Sequence, residues 1–515
     1  MTDLAHSTPG WRTPLSSPFA FWIAGLLVIG VVGRAAFWFS PLGVLDGDEA
    51  VGGLMAKHQL LGQVNVFYWG QAYGGPFETW LEAPIVWIFG PSWLGLRIVP
   101  IALTAAAAYV VWLVGRRLIA PEAALAAAAL FWAFPSFLLW KTIRFHIFYA
   151  SSLLFVALIM LQVLRVKDRP STRRLFVLGL LTGLGVWQSF QLVTVVPAAL
   201  AWLLLARRDV LRRVWIVALG ALTGFAPVLA WNATHHWQSR GIGQPGNVIS
   251  YPARVWQFFT TILPMALDLR TSISREWFLW KPAGIAVYAA ALAAFAWLAW
   301  SRRRTDLSLV VAVAIVFPFV YAISPITSVS DTPVYAVVLM PFLALLICAW
   351  VSTPLQAVGA TALALAVMAG SAVNLHAAWA RPHGGEFAPL EDHSPLPRDF
   401  GPLIAALDRL HITRLYASYW IAYRLDFETN ERIIAADMRP AALRLDGNRV
   451  IPQPDDPLLL KRHAEYQPIV ARTPRPAFVI APRFDPPSTD YGSLHAAHYR
   501  VATVGPFKIF FLPGS

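Results

Sequence analysis

The chain has 515 residues, 57% of them hydrophobic and 13% charged. Soluble proteins average about 45–50% apolar and about a quarter charged, so a single soluble domain, a disordered chain and a disulfide scaffold fit poorly, and the one cysteine, Cys348, permits no internal bridge. The net charge of +13 would suggest nucleic acid in a soluble chain, but residues 1–375 hold 25 Lys+Arg against 13 Asp+Glu while residues 376–515 hold 16 against 15.

An apolar stretch of about 20 residues crosses a bilayer as a helix with its backbone satisfied internally. Such stretches fall near 19–40, 94–115, 121–140, 148–164, 175–190, 191–206, 214–232, 283–300, 307–323, 334–350 and 355–375. They predict an α-helical polytopic membrane protein with about eleven transmembrane helices. The first stretch lacks a small-residue cleavage site and exceeds the core of a secretory signal, so it is expected to stay as an anchor.

Basic clusters orient these spans. Arg12, Arg116-Arg117, the run 165–174, the run 207–213 and Arg302 to Arg304 contribute 15 basic residues on one side. The positive-inside rule makes that side cytoplasmic. The N-terminus is then inside, and the loops 41–93, 141–147, 233–282 and 324–333 and the tail from 376 are outside. The surplus charge is a topology signal, and no nucleic-acid partner is expected.

Two external segments are longer than connectors. In 41–93, Asp46 or Asp48 is placed to cap a helix over about 49–62. A second helix over about 76–89 puts Glu78 and Glu82 on one face at i, i+4. In 233–282, the apolar run PARVWQFFTTILPMALDL suits the membrane surface, flanked by Trp231, Trp237, Trp256, Trp277 and Trp280 as an interfacial belt. After a linker at 381–397, a helix-like segment and short β-prone runs predict a small α/β domain outside the membrane. The expected division is thus a transmembrane domain, 1–375, and an extracytoplasmic domain, 376–515.

The acidic trio Asp46, Asp48 and Glu49 follows the first span. At the outer surface a carboxylate acts as a general base toward a hydroxyl or helps hold a divalent cation. Helix capping plus a solvated loop charge is the competing reading. His235-His236 lacks the ligand spacing of a zinc site. Asn232-Ala233-Thr234 matches a glycosylation sequon. Arg34, inside the first span, suits snorkelling or pairing with a neighbouring helix.

LDGDEA, the helix after it, YWGQAYGGPFE, FGPSWLGLR and the second span together resemble the opening of the GT-C superfamily of polytopic glycosyltransferases. The likeness is to the protein O-mannosyltransferase and lipid A aminoarabinose transferase type and covers about residues 19–165. It implies a sugar taken from a polyprenyl-phosphate carrier at the outer membrane face, with an acidic motif in the first external loop. Asp48-Glu49 stands at that motif and Asp48 matches the catalytic aspartate; these two are also the ligands to watch for a divalent cation. Many bacterial members likewise carry a large external C-terminal domain.

Three departures accompany the likeness. A Lys-Pro-Pro segment common in the first loop is replaced by GQAYGGPFE, which turns attention to Tyr73 and Glu78. No carboxylate follows the third span, where the chain reads KTIRFHIFY and offers Arg144 and His146. Near the tenth span, TPVYAVVLMP keeps Tyr335 and Pro341 without the arginine of many members.

The expected chemistry is a single displacement with inversion. Asp48 takes, or hydrogen-bonds to, the acceptor hydroxyl proton, and cations stabilise the phosphate leaving group. Arg144, Arg270, Arg275 and Lys281 are the external candidates. A double displacement needs a second carboxyl about 5–5.5 Å away, by analogy with retaining glycosidases, for which Asp46 and Glu78 stay open. Partners are the lipid-linked donor, membrane lipids and a protein, glycolipid or polymer acceptor. The alternative is a transporter or flippase for a lipid-linked sugar, which calls for ionisable residues deep in the spans or repeated halves with broken helices.

Overall fold

A computed structural model describes residues 17–241, 249–272, 275–328, 332–349, 354–379, 387–389, 395–439, 443–446, 449–452, 461–482, 485 and 492–513. The helices in chain order begin with α1 (Ser17–Phe39), α2 (Gly47–Leu60), α3 (Phe77–Phe89), α4 (Ile98–Leu118), α5 (Pro121–Ala133), α6 (Ser136–Thr142) and α7 (Tyr149–Asp168). They continue with α8 (Thr172–Gln188), α9 (Val196–Ala206) and α10 (Val214–Thr234). Later apolar helices include Lys281–Ser301, Ser308–Tyr321, Met340–Ala349 and Pro354–Trp379.

All eleven apolar stretches contain helix, but not all are single long spans. Gly95–Leu118, Tyr149–Asp168, Arg208–Thr234 and Lys281–Ser301 are long and apolar enough to cross a membrane. Two pairs bent by 83° and 66°, Ile23–Phe39 with Pro41–Leu60 and Pro121–Ala133 with Ser136–Thr142, raise the number to six if each is one span. Composition alone missed these breaks. Pro135 lacks the backbone donor that would continue α5 into α6, and 3-10 turns at Phe190–Thr194 and Pro333–Leu339 shorten the α-helices they adjoin.

Glycines let α8 and α10 pack closely. A methyl group added at Gly179 would lie 2.0 Å from the Val217 carbonyl oxygen, and one at Gly183 would lie 2.1 Å from that of Ala221. This is the small-xxx-small spacing that brings membrane helices into backbone contact.

Beyond residue 397 lies a five-stranded sheet. Its strands are β1 (Arg414–Ala417), β2 (Ile434–Asp437), β3 (Ala477–Ile480), β4 (Arg500–Val504) and β5 (Phe507–Phe511), in the order β2-β1-β3-β5-β4. β1 runs parallel to β2 and β3, and β5 antiparallel to β3 and β4. Strand alternation divides the side chains between two layers. Leu415, Ala417, Val479 and Ile509 meet Leu403, Leu407, Ile421 and Leu425. Tyr416, Phe478 and Phe510 join a second core with Ala50, Val51 and Leu54 of α2. The segment 41–93 and the C-terminal sheet thereby share one hydrophobic core. Most of the 381–397 linker lies outside the described residues, apart from a short antiparallel pair, Phe387–Pro389 with Pro395–Pro397.

Polar contacts hold the same junction. Glu431 receives Lys57 Nζ at 2.6 Å, His58 Nε2 at 2.8 Å and the Tyr466 hydroxyl at 2.7 Å. Burial pulls His58 down, but the hydrogen bond and charge of Glu431 raise it overall above its ordinary 6.5. Burial likewise opposes ionised Glu431, yet His58, Lys57 and Tyr466 hold it at about 2, below its ordinary 4.5. The raised His58 stabilises docking fully below its unfolded value and ceases to as pH rises through its folded one; the depressed Glu431 stabilises above about 4.5 and ceases to as pH falls towards 2. Docking is therefore strongest between about pH 4.5 and 6.5. Glu431→Gln is expected to weaken docking by about 1–3 kcal/mol and to flatten this pH dependence, read as faster hydrogen exchange in helix Tyr419–Glu428.

Candidate active site

The site begins where α1 ends. Ser40 caps a 3-10 turn, Pro41–Gly43, and the chain re-enters a helix at Gly47. Asp46 is the N-cap residue: its Oδ1 accepts from the Glu49 N–H at 2.9 Å, and Glu49 Oε2 accepts from the Asp46 N–H at 3.4 Å. This reciprocal box satisfies two donors that a helix start leaves orphaned and fixes Asp48 in the first turn of α2.

Asp46 and Glu49 do not face solvent. Glu49 is fully buried, paired with Arg97 and with Arg144 at 3.0 Å, and accepts the Phe145 N–H at 3.0 Å. Asp46 Oδ2 meets Arg144 at 2.5 Å and His146 at 3.3 Å. Burial pushes the Asp46 carboxyl up, but Arg144 and His146 outweigh it and hold it well below the usual carboxylate range. Arg97 also donates to the carbonyls of Ile143 at 2.9 Å and Gly43 at 3.0 Å. Two carboxylates and two guanidiniums therefore tie the first loop to the start of α4 and the α6–α7 connection.

The fit to a metal is poor. Donor atoms of Asp46, Glu49 and His146 lie within 4.8 Å of one another. Both carboxylates are already paired with guanidinium, so an added dication would face two fixed positive charges. Asp48 and Glu49, the pair expected from the sequence, do not converge: Glu49 enters the ion cluster and Asp48 lines a cavity.

That cavity measures about 1100 Å³. Asp48 Oδ1 accepts the Tyr419 hydroxyl at 2.5 Å, and its backbone carbonyl accepts the Tyr68 hydroxyl at 3.1 Å. Its Oδ2 has no hydrogen-bond partner among the described residues. Of the residues singled out from the sequence, Asp46, Asp48, Tyr73, Arg144, His146, Arg275 and Tyr335 line the cavity. Four do not. Glu49 is buried beneath it. Arg270 is turned to the Arg275 carbonyl at 2.8 Å and to Thr261. Lys281 is exposed at the head of its helix.

Glu78 is the fourth, and the face it shares with Glu82 on α3 is turned away from solvent. It is buried, accepting the Ser151 N–H at 2.8 Å and the Ser151 hydroxyl at 2.6 Å. Glu82 is buried as well, while Trp80, Leu81, Trp87, Ile88 and Phe89 form the exposed side. Burial pushes Glu78 up to about 7, and burial with the Glu78 charge pushes Glu82 up to about 9. The amphipathic helix has turned its acids inward and its aromatics outward.

Other expectations resolve similarly. Asn232 is buried and donates to the Val228 carbonyl at 2.9 Å, so the sequon is inaccessible to glycosylation. His235 stacks on Trp231 and is exposed, like His236. Arg34 pairs with neighbouring helices, donating to the Trp132 carbonyl at 2.7 Å and to Thr142 at 3.3 Å.

Lys141, Tyr68, Gln71, Trp420 and Arg462 also line the cavity, and Tyr419 reaches its Asp48. Sequence reasoning missed them. Lys141 stood in the KTIRF stretch already noted, so its position at a helix end was a usable signal. Nothing local to Tyr419 or Arg462 announces a partner 371 or 391 residues away.

Residues 74–231 match the family described as dolichyl-phosphate-mannose-protein mannosyltransferase, less than half of the chain. No curated protein matches the chain in sequence. Among solved structures, ArnT from Cupriavidus metallidurans bound to undecaprenyl phosphate superposes with a TM-score of 0.60 at 14% identity, covering 96% of this chain and 98% of that one. Its apo form gives 0.60 at 15% identity with the same coverage. The chain is thus similar to the polytopic GT-C glycosyltransferases in a matched sequence segment and in a fold shared over nearly its whole length.

Proposed function

We propose that the protein moves a sugar from a polyprenyl-phosphate carrier to an acceptor hydroxyl at the outer face of the cytoplasmic membrane, with inversion at the anomeric carbon. The observation that carries the reading is the setting of Asp48. One carboxylate oxygen opens into a cavity whose permanent charges are Lys141, Arg144, Arg275 and Arg462 against Asp46 and Asp48. A positive surplus of two suits a phosphate leaving group. The cavity is also large enough for a sugar and its phosphate.

The acceptor oxygen attacks the anomeric carbon as its proton passes to Asp48 Oδ2. The bond from that carbon to the phosphate oxygen breaks, and the electron pair leaves on polyprenyl phosphate. Asp46 is the other carboxylate among the described lining residues, and its pairing with Arg144 and His146 makes it a poor nucleophile. This pairing favours a single displacement. Undecaprenyl phosphate in the similar ArnT structure supports the carrier class, and the basic clusters support a cytoplasmic N-terminus with the C-terminal domain outside.

Transport is less well supported. Arg34, inside the first span, donates to the carbonyls of Gly30 and Trp132 and to Thr142, which ties helices together. Buried Asp268 is saturated by the N–H and hydroxyl of Ser136, the hydroxyl of Ser371 and the amide of Asn374. It likewise ties helices together.

The test is release of polyprenyl phosphate by the purified protein in nanodiscs, over a panel of polyprenyl-phosphate sugars and hydroxyl acceptors, with product anomery read by NMR. Protein-dependent release with inverted product is expected. Uptake of the lipid-linked sugar into vesicles without transfer from any donor overturns the proposal.

A further inference from the structure

We infer that the C-terminal domain is part of the active centre: Tyr419, backed by Arg462, holds Oδ1 of Asp48 and thereby presents Oδ2 to the acceptor hydroxyl. The inference rests on the reading of Asp48 as the base and adds two positioning residues to it.

The geometry is a three-member chain. Arg462 Nε donates to the Tyr419 hydroxyl at 3.3 Å, and that hydroxyl donates to Asp48 Oδ1 at 2.5 Å. A hydroxyl that accepts from a guanidinium while donating to a carboxylate is polarised toward the carboxylate, which strengthens the bond it donates. Burial and the negative charge of Asp48 push the Tyr419 hydroxyl well above its ordinary value, so it remains a donor. Arg462 is held in place by neutral groups, with Nη1 donating to Gln71 Oε1 at 2.7 Å and its guanidinium over the Tyr68 ring at 4.9 Å. None of these partners is a carboxylate, so its hydrogen-bonded route to Asp48 runs through the tyrosine, beside the direct attraction between the two charges.

Backbone packing keeps the chain short. A Cβ at Gly47, the residue before Asp48, would lie 3.2 Å from both the Trp420 Cα and the Tyr419 ring. A Cβ at Gly53, on the same helix, would lie 2.3 Å from the Phe427 ring. Two glycines thus let α2 approach helix Tyr419–Glu428 closely enough for the tyrosine to reach its carboxylate. A carboxylate on a short side chain in a wide cavity has two equivalent oxygens and free rotation; one strong hydrogen bond to Oδ1 makes them inequivalent and fixes the direction of Oδ2.

The experiment uses full-length protein in nanodiscs with a donor and acceptor that the wild-type protein turns over. Tyr419→Phe keeps the ring and removes the hydroxyl. Its kcat should fall about 10–100-fold, the kinetic equivalent of one hydrogen bond to a charged group, with donor KM within about two-fold. The acid limb of its rate–pH profile should move to higher pH, because a hydrogen bond donated to the charged form has been lost. Arg462→Gln should move both quantities in the same direction, and it carries the test alone if Tyr419→Phe does not fold. The double variant should lose less than the product of the two single losses, since part of the Arg462 effect passes through Tyr419. Turnover of folded Tyr419→Phe within about two-fold of wild type and an unshifted profile overturn the inference while leaving the glycosyltransferase reading intact. Additive losses, or an Arg462→Gln defect confined to donor KM, overturn the relay. No transfer by the wild-type protein overturns both readings together.

Discussion

Asp48→Asn should lower turnover about 10²–10⁴-fold, the range over which a positioned general base accelerates a reaction, while the protein melts at an unchanged temperature. The two halves of this expectation come from different atoms. Asparagine keeps an acceptor at the Oδ1 position, so the Tyr419 hydrogen bond survives and the junction with the C-terminal domain is not disturbed. At the Oδ2 position it offers an amide that takes no proton from a hydroxyl. Asp46→Asn makes the informative contrast. Asp46 caps α2 and neutralises Arg144, so that variant should lose thermal stability and turnover together. Release of polyprenyl phosphate and a thermal-shift measurement on the same preparations separate the pair. Wild-type turnover by folded Asp48→Asn would remove the base from Asp48.

The contrast also shows which parts of the site were legible. The DGDE run announced a helix start, and both the cap at Asp46 and α2 follow it closely. Apolar runs located the helices, and β-prone runs fell on four of the five strands of the C-terminal sheet but not on Arg500–Val504. Periodicity placed Glu78 and Glu82 on one face of α3, but it reports only that a face exists, not what packs against it. Here Ser151 of α7 takes that face, and the acids lie inside. The charge pattern predicts an external loop around Arg144 and so a cation available to phosphate. In space it neutralises Asp46 and Glu49, so part of its charge is already committed. Tyr419 and Arg462 are the limiting case: their roles arise only when a sheet far along the chain docks on α2, and contacts of that separation leave no local pattern. The glycines at 47 and 53 that permit the docking carry no sign of it in the sequence.

The ion cluster beneath Asp48 sets the second large expectation. Arg97→Met should destabilise the protein by about 3–5 kcal/mol, the cost of stripping one partner from a buried ion pair. Arg97 and Glu49 are both fully buried, so no water replaces the missing guanidinium. Glu49 would be left to share Arg144 with Asp46, two carboxylates on one cation, and the carbonyls of Gly43 and Ile143 would lose their donors. Adding Glu49→Gln to Arg97→Met should recover part of the loss, because a neutral amide is cheaper to bury than an unpaired carboxylate. Activity should follow the same order, since the first turn of α2 that carries Asp48 hangs from this cluster. Thermal unfolding of the two single variants and the double variant measures the coupling. Equal and additive losses would mean that the pair contributes no mutual stabilisation, and a double variant with recovered stability but no turnover would mean that the cluster orients Asp48 through its charge rather than through its packing.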